Sequence, residues 1–424
     1  MIKFIDKIFN RTNNLNYISL GIKNLTSNTP AKKIFDAINT HSINSEIRYV
    51  GGCIRKIINK EKVDDIDLAT NLNPNEIIFV LKKNKINFFE SGIKHGTITV
   101  IIDNFKFEIT SLREDINTDG RFADVKFSDD WKKDAARRDF TINSIYADSE
   151  GNLFDPFNGK KDLEDGCIKF IGDPDKRIKE DYLRILRYLR FFLVYSSHKH
   201  DQEIVRVLKK NLIGISKLSK ERLFDELKKI IKSKVLEKLA NDKHSIELIE
   251  NIFPQLKNIK VFKNPNSFAK IKLDECDIIF LLSLLIIDDS DNLEYFIYKF
   301  NLSKKDQKRL NNLNNFINKR NKVESFTEKN LNNLFYYEGK QAVLDVLSYK
   351  LFISKKINKK LENLLEIFKI KQIPNLPVNA KTLMSEHNIP EGREIGKKLK
   401  IIEQEWVKNN FELSDIQIKK IIKN

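Results

Sequence analysis

VDDIDLAT, residues 63–70, places three carboxylates in a segment that otherwise has the composition of a buried strand. Successive side chains of a strand point to opposite faces, so Asp65 and Asp67 would share one face and their apolar neighbours the other. Two adjacent carboxylates repel each other unless a cation lies between them, and a divalent metal is the simplest candidate. The alternative is the solvated face of an edge strand. The rest of the sequence must decide between a metal site and an exposed edge.

Length and charge limit the class of protein. A chain of 424 residues exceeds one compact core and predicts about two to four domains. The 76 Lys and Arg residues outnumber the 59 Asp and Glu residues, and the formal charge of +17 favours a polyanionic partner such as nucleic acid. Lysine, asparagine and isoleucine are abundant throughout, however, so base composition is an alternative source of this excess.

Three cysteines, Cys53, Cys167 and Cys276, lie far apart without a CxxC pair, which favours a reducing cytoplasm over a disulfide framework or a zinc site. The N-terminus lacks the pattern of a secretory signal. The longest apolar run, residues 278–287, is shorter than the roughly 18 residues of a membrane helix. We therefore expect a soluble cytoplasmic protein with no membrane partner; the sequence does not indicate an oligomeric state.

The hydrophobic pattern of the sequence changes near residue 175. Before it, short β-like runs alternate with turns; after it, apolar residues recur every three or four positions and strand signals nearly vanish. This pattern predicts an α+β head followed by a long helical region.

A second motif, RYVGGCIRKII at residues 48–58, reads as a strand, a turn at Gly51 and Gly52, and a helix. Glycines at such a turn let the backbone approach a ligand, and the N–H groups that begin a helix suit a phosphate. An ordinary tight turn is the alternative.

Glu108, in the alternating strand KFEIT, could complete the acidic cluster, or could be an exposed strand residue. The polar segment after it, residues 110–127, looks poor in hairpin signals. It could close over a substrate or form mobile surface.

DAARRDFTINS, residues 134–144, sets Arg137 and Arg138 beside Asp139. The two guanidinium forks suit phosphates, and the carboxylate could hold a ribose hydroxyl or orient an arginine. A surface ion-pair cluster is the alternative.

RIKEDYLRILRYLRF, residues 177–191, carries the most specific hypothesis. On one helix, Asp181 and Arg184 would be neighbours three residues apart, and a stabilising ion pair is the simplest explanation. A carboxylate only accepts hydrogen bonds and a guanidinium only donates them. Cytosine and adenine both present an amino donor beside a ring-nitrogen acceptor, whereas uracil and guanine present a carbonyl beside an N–H. Such a pair would accept C and A and reject U and G.

Taken in order, these motifs resemble the class II tRNA nucleotidyltransferase family, the CCA-adding enzymes with bacterial poly(A) polymerases as close relatives. The resemblance runs from about Arg48 to Lys229. It implies a polymerase-β-like nucleotidyltransferase head at residues 1–150, a neck at 151–235 that binds nucleotide and RNA, and a helical body and tail at 236–424 that bind tRNA. The implied activity is addition of C, C and A to the tRNA 3′ end from CTP and ATP.

The resemblance also implies residue roles. Asp65 and Asp67 would hold two Mg²⁺ ions, and Glu108 would join them in the catalytic cluster. The segment from Arg113 to Val125 matches the flexible loop linked to the final A addition, and Glu221 and Arg222 match positions that support the neck. The implied nucleotide-binding residues are Gly51, Gly52, Arg55, Arg113, Arg137, Arg138, Asp139, Asn143, Glu180, Asp181, Arg184 and Arg187.

One departure concerns the turn, which in the family usually reads G-G-x-V-R-D. Here Lys56 replaces the aspartate, so the orientation of Arg55 is in question.

Three alternatives remain open. A poly(A) polymerase is expected to carry an arginine-rich strand where this chain has GIKHGTITVII. A partial enzyme would add only CC or only A, and a CC-adding enzyme is expected to lack the flexible loop. A non-catalytic RNA-binding protein would be favoured by loss of Asp65 or Asp67, and both are present. The His200-Asp201 dipeptide, in a polar run, is expected in a solvated loop rather than in a phosphohydrolase site.

Overall fold

The computed structural model describes residues 17–119, 122–232, 235–288, 290–319, 326–387 and 389–423. The chain divides into two compact units, Met1–Glu226 and Leu227–Asn424. The predicted head and most of the predicted neck fall in the first unit.

The described part of the first unit contains a seven-stranded mixed sheet and a separate two-stranded hairpin. The strands of the sheet are β1 Ile47–Val50, β2 Ile66–Thr70, β3 Phe88–Gly92, β4 Thr97–Ile102, β5 Phe105–Ser111, β8 Tyr146–Ala147 and β9 Leu153–Phe154. The hairpin consists of β6 Arg113–Asp119 and β7 Phe122–Phe127. The strand order in the sheet is β3-β4-β5-β2-β1-β8-β9. The acidic strand β2 therefore lies at the centre of the sheet, between β5 and β1, and not at an edge.

The β2 and β5 strands are parallel, whereas the other pairs of the sheet are antiparallel. Ile66 and Leu68 of β2 are buried in the core beside Phe107 and Ile109 of β5. Since alternate side chains face opposite ways, the polar residues of both strands are directed away from this core. The alternation in VDDIDLAT thus sets which face of the sheet carries the carboxylates.

Helices of the first unit cover the sheet and continue beyond it. They are α1 over residues 17–28, α2 Ala31–Asn39, α3 Gly52–Ile58, α4 Pro74–Lys83, α5 Trp131–Ala136, α6 Gly159–Glu164, α7 Pro174–Glu180, α8 Leu183–Tyr195, α9 Gln202–Lys210 and α10 Lys220–Lys232, the last crossing the boundary between the units. Local sequence explains the helix starts: at α4, Asn73 and Glu76 form a reciprocal capping box around Pro74.

The segment at residues 110–127 differs from its prediction. We expected no hairpin, yet its backbone forms the antiparallel pair β6 and β7, from Arg113 opposite Phe127 to Asp119 opposite Phe122. Ile, Thr, Val and Phe residues, which favour strands, are spread through this polar segment and supply the β propensity that we underestimated. Residues 120 and 121, at the tip, lie outside the described residues.

The His200-Asp201 dipeptide lies in a loop, as predicted, but the expected solvation is wrong for His200. His200 is buried, its ring centroid lies 3.5 Å from that of Phe192, and it is within 3.3 Å of the Tyr188 hydroxyl. Asp201 caps α9 by accepting the N–H of Glu203. Both residues therefore have structural roles.

The second unit is helical in its described residues. Its helices after α10 are α11 Leu236–Asn241, α12 Lys243–Ile252, α13 Ser267–Lys272, α14 Ile278–Ile286, α15 Asn292–Phe300, α16 Lys304–Lys319, α17 Glu328–Glu338, α18 Lys340–Ile353, α19 Lys359–Ile370, α20 Ala380–His387, α21 Arg393–Lys408 and α22 Asp415–Lys423. The apolar run at residues 278–287 forms α14, whose side chains are mostly buried. Within the described ranges, no helix has the length and apolar character needed to cross a membrane.

Candidate active site

Three carboxylates and one lysine line a pocket at the polar face of the β2 and β5 pair. Glu108 is the register partner of Asp67, and Asp65 immediately precedes β2. A cavity of about 270 Å³ is lined by Asp65, Asp67 and Glu108 together with Ile66 and Lys106. The predicted grouping of Asp65, Asp67 and Glu108 is therefore present in the fold.

The electrostatics of this pocket suit a cation. Burial raises the pKa of Asp67, and the negative charges of Glu108 and Asp65 raise it further. A metal ion would relieve this repulsion, and carboxylate oxygens are the donors that Mg²⁺ prefers. Nowhere in the described residues are three or more His, Cys, Asp or Glu side chains already grouped as a metal site. Asp65 and Asp67 could therefore supply two of the ligands of a Mg²⁺ ion. Mg²⁺ commonly completes its coordination with water and with phosphate oxygens of the substrate.

The third carboxylate of VDDIDLAT has a different partner. Asp64 forms an ion pair with Lys56 of α3, and its Oδ1 also accepts the backbone N–H of Asp65 at 3.0 Å. Lys56 lowers the pKa of Asp64. Lys56, which stands where the family usually has an aspartate, thus forms an ion pair with Asp64, the residue before Asp65.

The Gly51–Gly52 turn lies against the same pocket. Gly51 has a φ of 64°, a conformation that favours glycine, and a Cβ there would lie 3.2 Å from the carbonyl oxygen of Asn143. A Cβ on Gly52 would lie 3.8 Å from Oδ2 of Asp67. The predicted strand, turn and helix are present as β1, the two glycines and α3.

Arg55 is held without help from residue 56. Its guanidinium donates to Oδ1 of Asn143 and lies over the rings of Phe191, at 4.8 Å, and Tyr195, at 5.3 Å. Arg55 is buried, and among the described residues its Nε has no hydrogen-bond acceptor. The Lys56 departure therefore does not leave Arg55 unoriented.

Arg137 and Arg138 share one buried carboxylate, and it is not Asp139. Arg137 Nε donates to Asp134 at 2.8 Å, Arg138 Nη2 donates to the other carboxylate oxygen at 3.1 Å, and the Tyr146 hydroxyl donates to it at 2.6 Å. Burial would raise the pKa of Asp134, but the two arginines outweigh this and lower it. Asp134 was missed in the sequence; its i, i+3 and i, i+4 spacing to the arginines was the available signal.

Asp139 instead links two other predicted residues. It accepts Nε of Arg187 at 2.6 Å and Nδ2 of Asn143 at 2.8 Å. Burial opposes ionisation, yet the charge of Arg187 and these hydrogen bonds lower the pKa of Asp139 to about 2. An unbroken chain of hydrogen bonds therefore runs from Arg187 of α8 through Asp139 and Asn143 to Arg55 of α3.

Asp181 and Arg184 do not lie on one continuous helix, as we had expected. The helix breaks at Asp181, which ends α7 in an extended conformation with φ −154° and ψ 105°. Asp181 Oδ1 accepts the N–H of Leu183 at 3.1 Å, and this local hydrogen bond competes with helix continuation. Asp181 accepts Nη2 of Arg222 at 2.7 Å, while Arg184 donates to Glu180 at 2.6 Å. The two residues lie at the junction of two helices with separate partners.

Arg177 was also missed in the sequence. Its Nη2 donates to the carbonyl oxygens of Arg137 and, at 2.7 Å, Arg138, and its Nη1 donates to Glu180 at 2.6 Å. It therefore ties the end of the arginine motif to the Glu180–Arg184 pair. The only local sign of its role is its place four residues before Asp181, in RIKED at residues 177–181.

Arg113, at the start of β6, donates from Nη1 to the carbonyl oxygen of His95. The side chains of residues 115–125, on which the predicted loop function depends, lie outside the described ones.

A mixed sheet that brings carboxylates from two adjacent strands beside a glycine turn and buried arginines defines a nucleotidyltransferase head. Family comparison agrees with this class. The family described as "Poly A polymerase head domain" matches residues 47–169. "Probable RNA and SrmB-binding site of polymerase A" matches residues 200–260, and "tRNA nucleotidyltransferase domain 2 putative" matches residues 272–420.

Relatives cover nearly the whole chain. The human mitochondrial CCA tRNA nucleotidyltransferase 1 is 33% identical over 398 residues, which is 90% of this chain and 87% of that protein. The CCA-adding enzyme of Staphylococcus saprophyticus is 30% identical over 322 residues, covering 75% and 76% of the two chains. The chain belongs to the CCA tRNA nucleotidyltransferase family.

Solved structures share the fold. The Bacillus stearothermophilus CCA-adding enzyme in complex with CTP matches with a TM-score of 0.68 at 20% identity, covering 92% of this chain and 95% of that one. The Thermotoga maritima CCA-adding enzyme complexed with tRNA matches with a TM-score of 0.59 at 19% identity, covering 92% of this chain and 94% of that one.

Proposed function

We propose that this enzyme adds C, C and A to the 3′ end of tRNA, using CTP and ATP and no nucleic-acid template. The observation that carries the proposal is the convergence of Asp65, Asp67 and Glu108 beside the Gly51–Gly52 turn in a member of this family. Structural neighbours named as CCA-adding enzymes are in complex with CTP, with ATP and with tRNA, which supports these three ligands.

Asp65 and Asp67 would hold Mg²⁺, which we propose binds as two ions. When bound, such a pair supplies activation of the attacking 3′-hydroxyl and charge neutralisation on the leaving pyrophosphate. The protein would position the phosphates of the nucleotide. The backbone at Gly51 and Gly52 would admit them closely, and Arg55, three residues after Gly52 on α3, would supply a nearby positive charge.

The arginine network would hold the sugar and phosphates in one orientation. Arg137 and Arg138 are fixed by the buried Asp134, so their remaining N–H groups are preorganised donors. Asp139 and Asn143 connect Arg55 to α8, so the proposed phosphate-binding groups and the helix that carries Arg184 are held together.

We propose that Asp181 and Arg184 read the base. Asp181 uses one acceptor site for Leu183 and one for Arg222, and a carboxylate has about four. Within the described part of the chain, Arg184 donates from Nη1, to Glu180 and to the carbonyl oxygen of Arg177. Both therefore retain capacity for the amino donor and ring acceptor that C and A share. The hydrogen bonds to these separate partners orient each side chain and leave other donor or acceptor positions for the base.

The basic helical region would hold the tRNA through its phosphates and 2′-hydroxyls, because an enzyme that serves every tRNA cannot depend on base edges. The three unpaired cysteines support a reducing compartment, which we propose is the cytoplasm.

A poly(A) polymerase is the second candidate, since the head family bears that name. GIKHGTITVII, which contains β4, lacks arginine, and this favours CCA addition. The decisive experiment supplies a tRNA lacking its 3′ end with magnesium and labelled CTP, ATP or both. Growth by C, C and A followed by arrest is the expected result. Repeated addition of A would identify a poly(A) polymerase, and no addition would favour a non-catalytic RNA-binding protein.

A further inference from the structure

A lysine lies inside the carboxylate pocket. Lys106 and Glu108 are two residues apart on β5 and therefore share a face, and Nζ of Lys106 lies 2.6 Å from Oε1 of Glu108. Lys106 lines the same cavity as Asp65 and Asp67. Since the β2 and β5 register pairs Asp67 with Glu108 and Ile66 with Phe107, its continuation sets Lys106 opposite Asp65. A positive charge thus stands beside Glu108 and opposite Asp65, in the pocket that Asp67 also lines.

We propose that Lys106 is a built-in counter-ion that competes with divalent metal for this pocket and lowers the metal affinity of the enzyme before nucleotide binds. The inference rests on the proposed function, which assigns metal binding to Asp65 and Asp67. Its consequence is that metal enters the site most readily as the metal–nucleotide complex, which brings its own negative charge to balance Lys106.

The physical basis is charge repulsion. The ammonium group lines the same pocket as the carboxylates, and at the screening expected near a surface a charge at this position would change metal binding by a moderate factor. The Lys106 side chain is 59% exposed, so it can leave Glu108 without disturbing the core. An exposed ion pair of this kind contributes little to stability, so its removal changes the field of the pocket more than the fold.

The test measures Mn²⁺ binding to the full chain by electron paramagnetic resonance, with neither nucleotide nor RNA present. Three variants are compared with the wild type. Lys106→Met removes the charge and keeps the unbranched chain except for its terminal atom, Lys106→Arg keeps the charge, and Asp67→Asn locates the metal site. The proposal expects Lys106→Met to bind Mn²⁺ about 3- to 10-fold more tightly. Lys106→Arg should stay within about twofold of the wild type, and Asp67→Asn should lose most of the binding.

The outcomes separate this inference from the proposed function. If Asp67→Asn loses Mn²⁺ but Lys106→Met binds it no more tightly than the wild type, the role of Lys106 is overturned and the metal site stands. If Asp67→Asn binds Mn²⁺ like the wild type, the metal assignment itself is wrong, and the counter-ion role falls with it. Tighter binding by both Lys106→Met and Lys106→Arg would overturn the role of charge.

Discussion

The side-chain oxygen of Asn143 accepts a hydrogen bond from the guanidinium of Arg55. Replacing Asn143 with alanine removes this acceptor and also the donor to Asp139. Because buried hydrogen bonds to charged groups contribute about 1.5–3 kcal/mol, we expect KM for both CTP and ATP to rise about 10-fold or more. Steady-state incorporation with each nucleotide measures the effect.

The matched control is Asn75→Ala, on the exposed face of α4, which should leave KM unchanged. If Asn143→Ala lowers kcat alone and leaves KM as in the wild type, Arg55 does not depend on Asn143 for nucleotide binding.

Asp67→Asn should abolish nucleotide addition, with a loss of at least about 10³-fold, because a neutral amide is a poor ligand for a hard divalent ion. Thermal stability should stay the same or rise slightly, since the substitution removes repulsion with Glu108 and Asp65. Incorporation assays and thermal unfolding of the same preparation test both parts. Asp36→Asn, on an exposed position of α2, is the control. Retained activity in Asp67→Asn would remove Asp67 from the catalytic cluster.

Asp181→Ala should relax base selection. In the proposed function this carboxylate accepts the amino group of C or A, so its loss should lower the preference for these bases over U and G about 10- to 100-fold. The ratio of kcat/KM for CTP and UTP on the same tRNA measures it. Lys176→Ala, an exposed change on α7, should keep the wild-type ratio. An equal loss of kcat/KM with every nucleotide would show that Asp181 supports the fold of the junction rather than reading the base.

Much of this site could be predicted because its signals are local. Asp65 and Asp67 share a face through the period of a strand, and Gly51 and Gly52 mark a turn through their conformational freedom. Such features need only a few neighbouring residues. The central strands and the change to helices after residue 175 were predictable for the same reason.

The partners of the charged side chains could not be predicted, because they depend on tertiary packing. Asp181 pairs with Arg222, 41 residues away, and Arg187 pairs with Asp139, 48 residues away. The helix break at Asp181 was missed because an apolar period of 3.6 continues through it, while a side-chain hydrogen bond to Leu183 ends one helix and begins the next. Periodicity alone does not show such a junction.

The Lys56–Asp64 ion pair gives a charge-exchange test. Asp64 holds the backbone N–H of Asp65, so Lys56→Asp, which places two carboxylates together, should shift this segment and lower kcat about 3- to 10-fold. The double variant Lys56→Asp with Asp64→Lys restores the opposite charges and should recover part of the loss. Full activity in Lys56→Asp alone would show that the pair does not position Asp65. Thermal unfolding should differ little among these variants, because the pair is partly exposed.

Asp139 predicts a distinct acid sensitivity. Its folded pKa of about 2 lies below the ordinary value of 3.8, so its ionised form stabilises the fold. That contribution, about 2 kcal/mol, is complete above pH 4 and is lost as the pH falls toward 2. Asp139→Asn should therefore be less stable than the wild type at pH 7, because the buried charge of Arg187 loses its partner.

The same variant should also lose less stability than the wild type between pH 4 and pH 2, since it has no carboxylate to protonate at this position. Urea unfolding at a series of pH values measures both differences. Asp165→Asn, an exposed change, should follow the wild-type curve. Parallel curves for Asp139→Asn and the wild type below pH 4 would mean that Asp139 is not the group whose ionisation couples Arg187 to the fold.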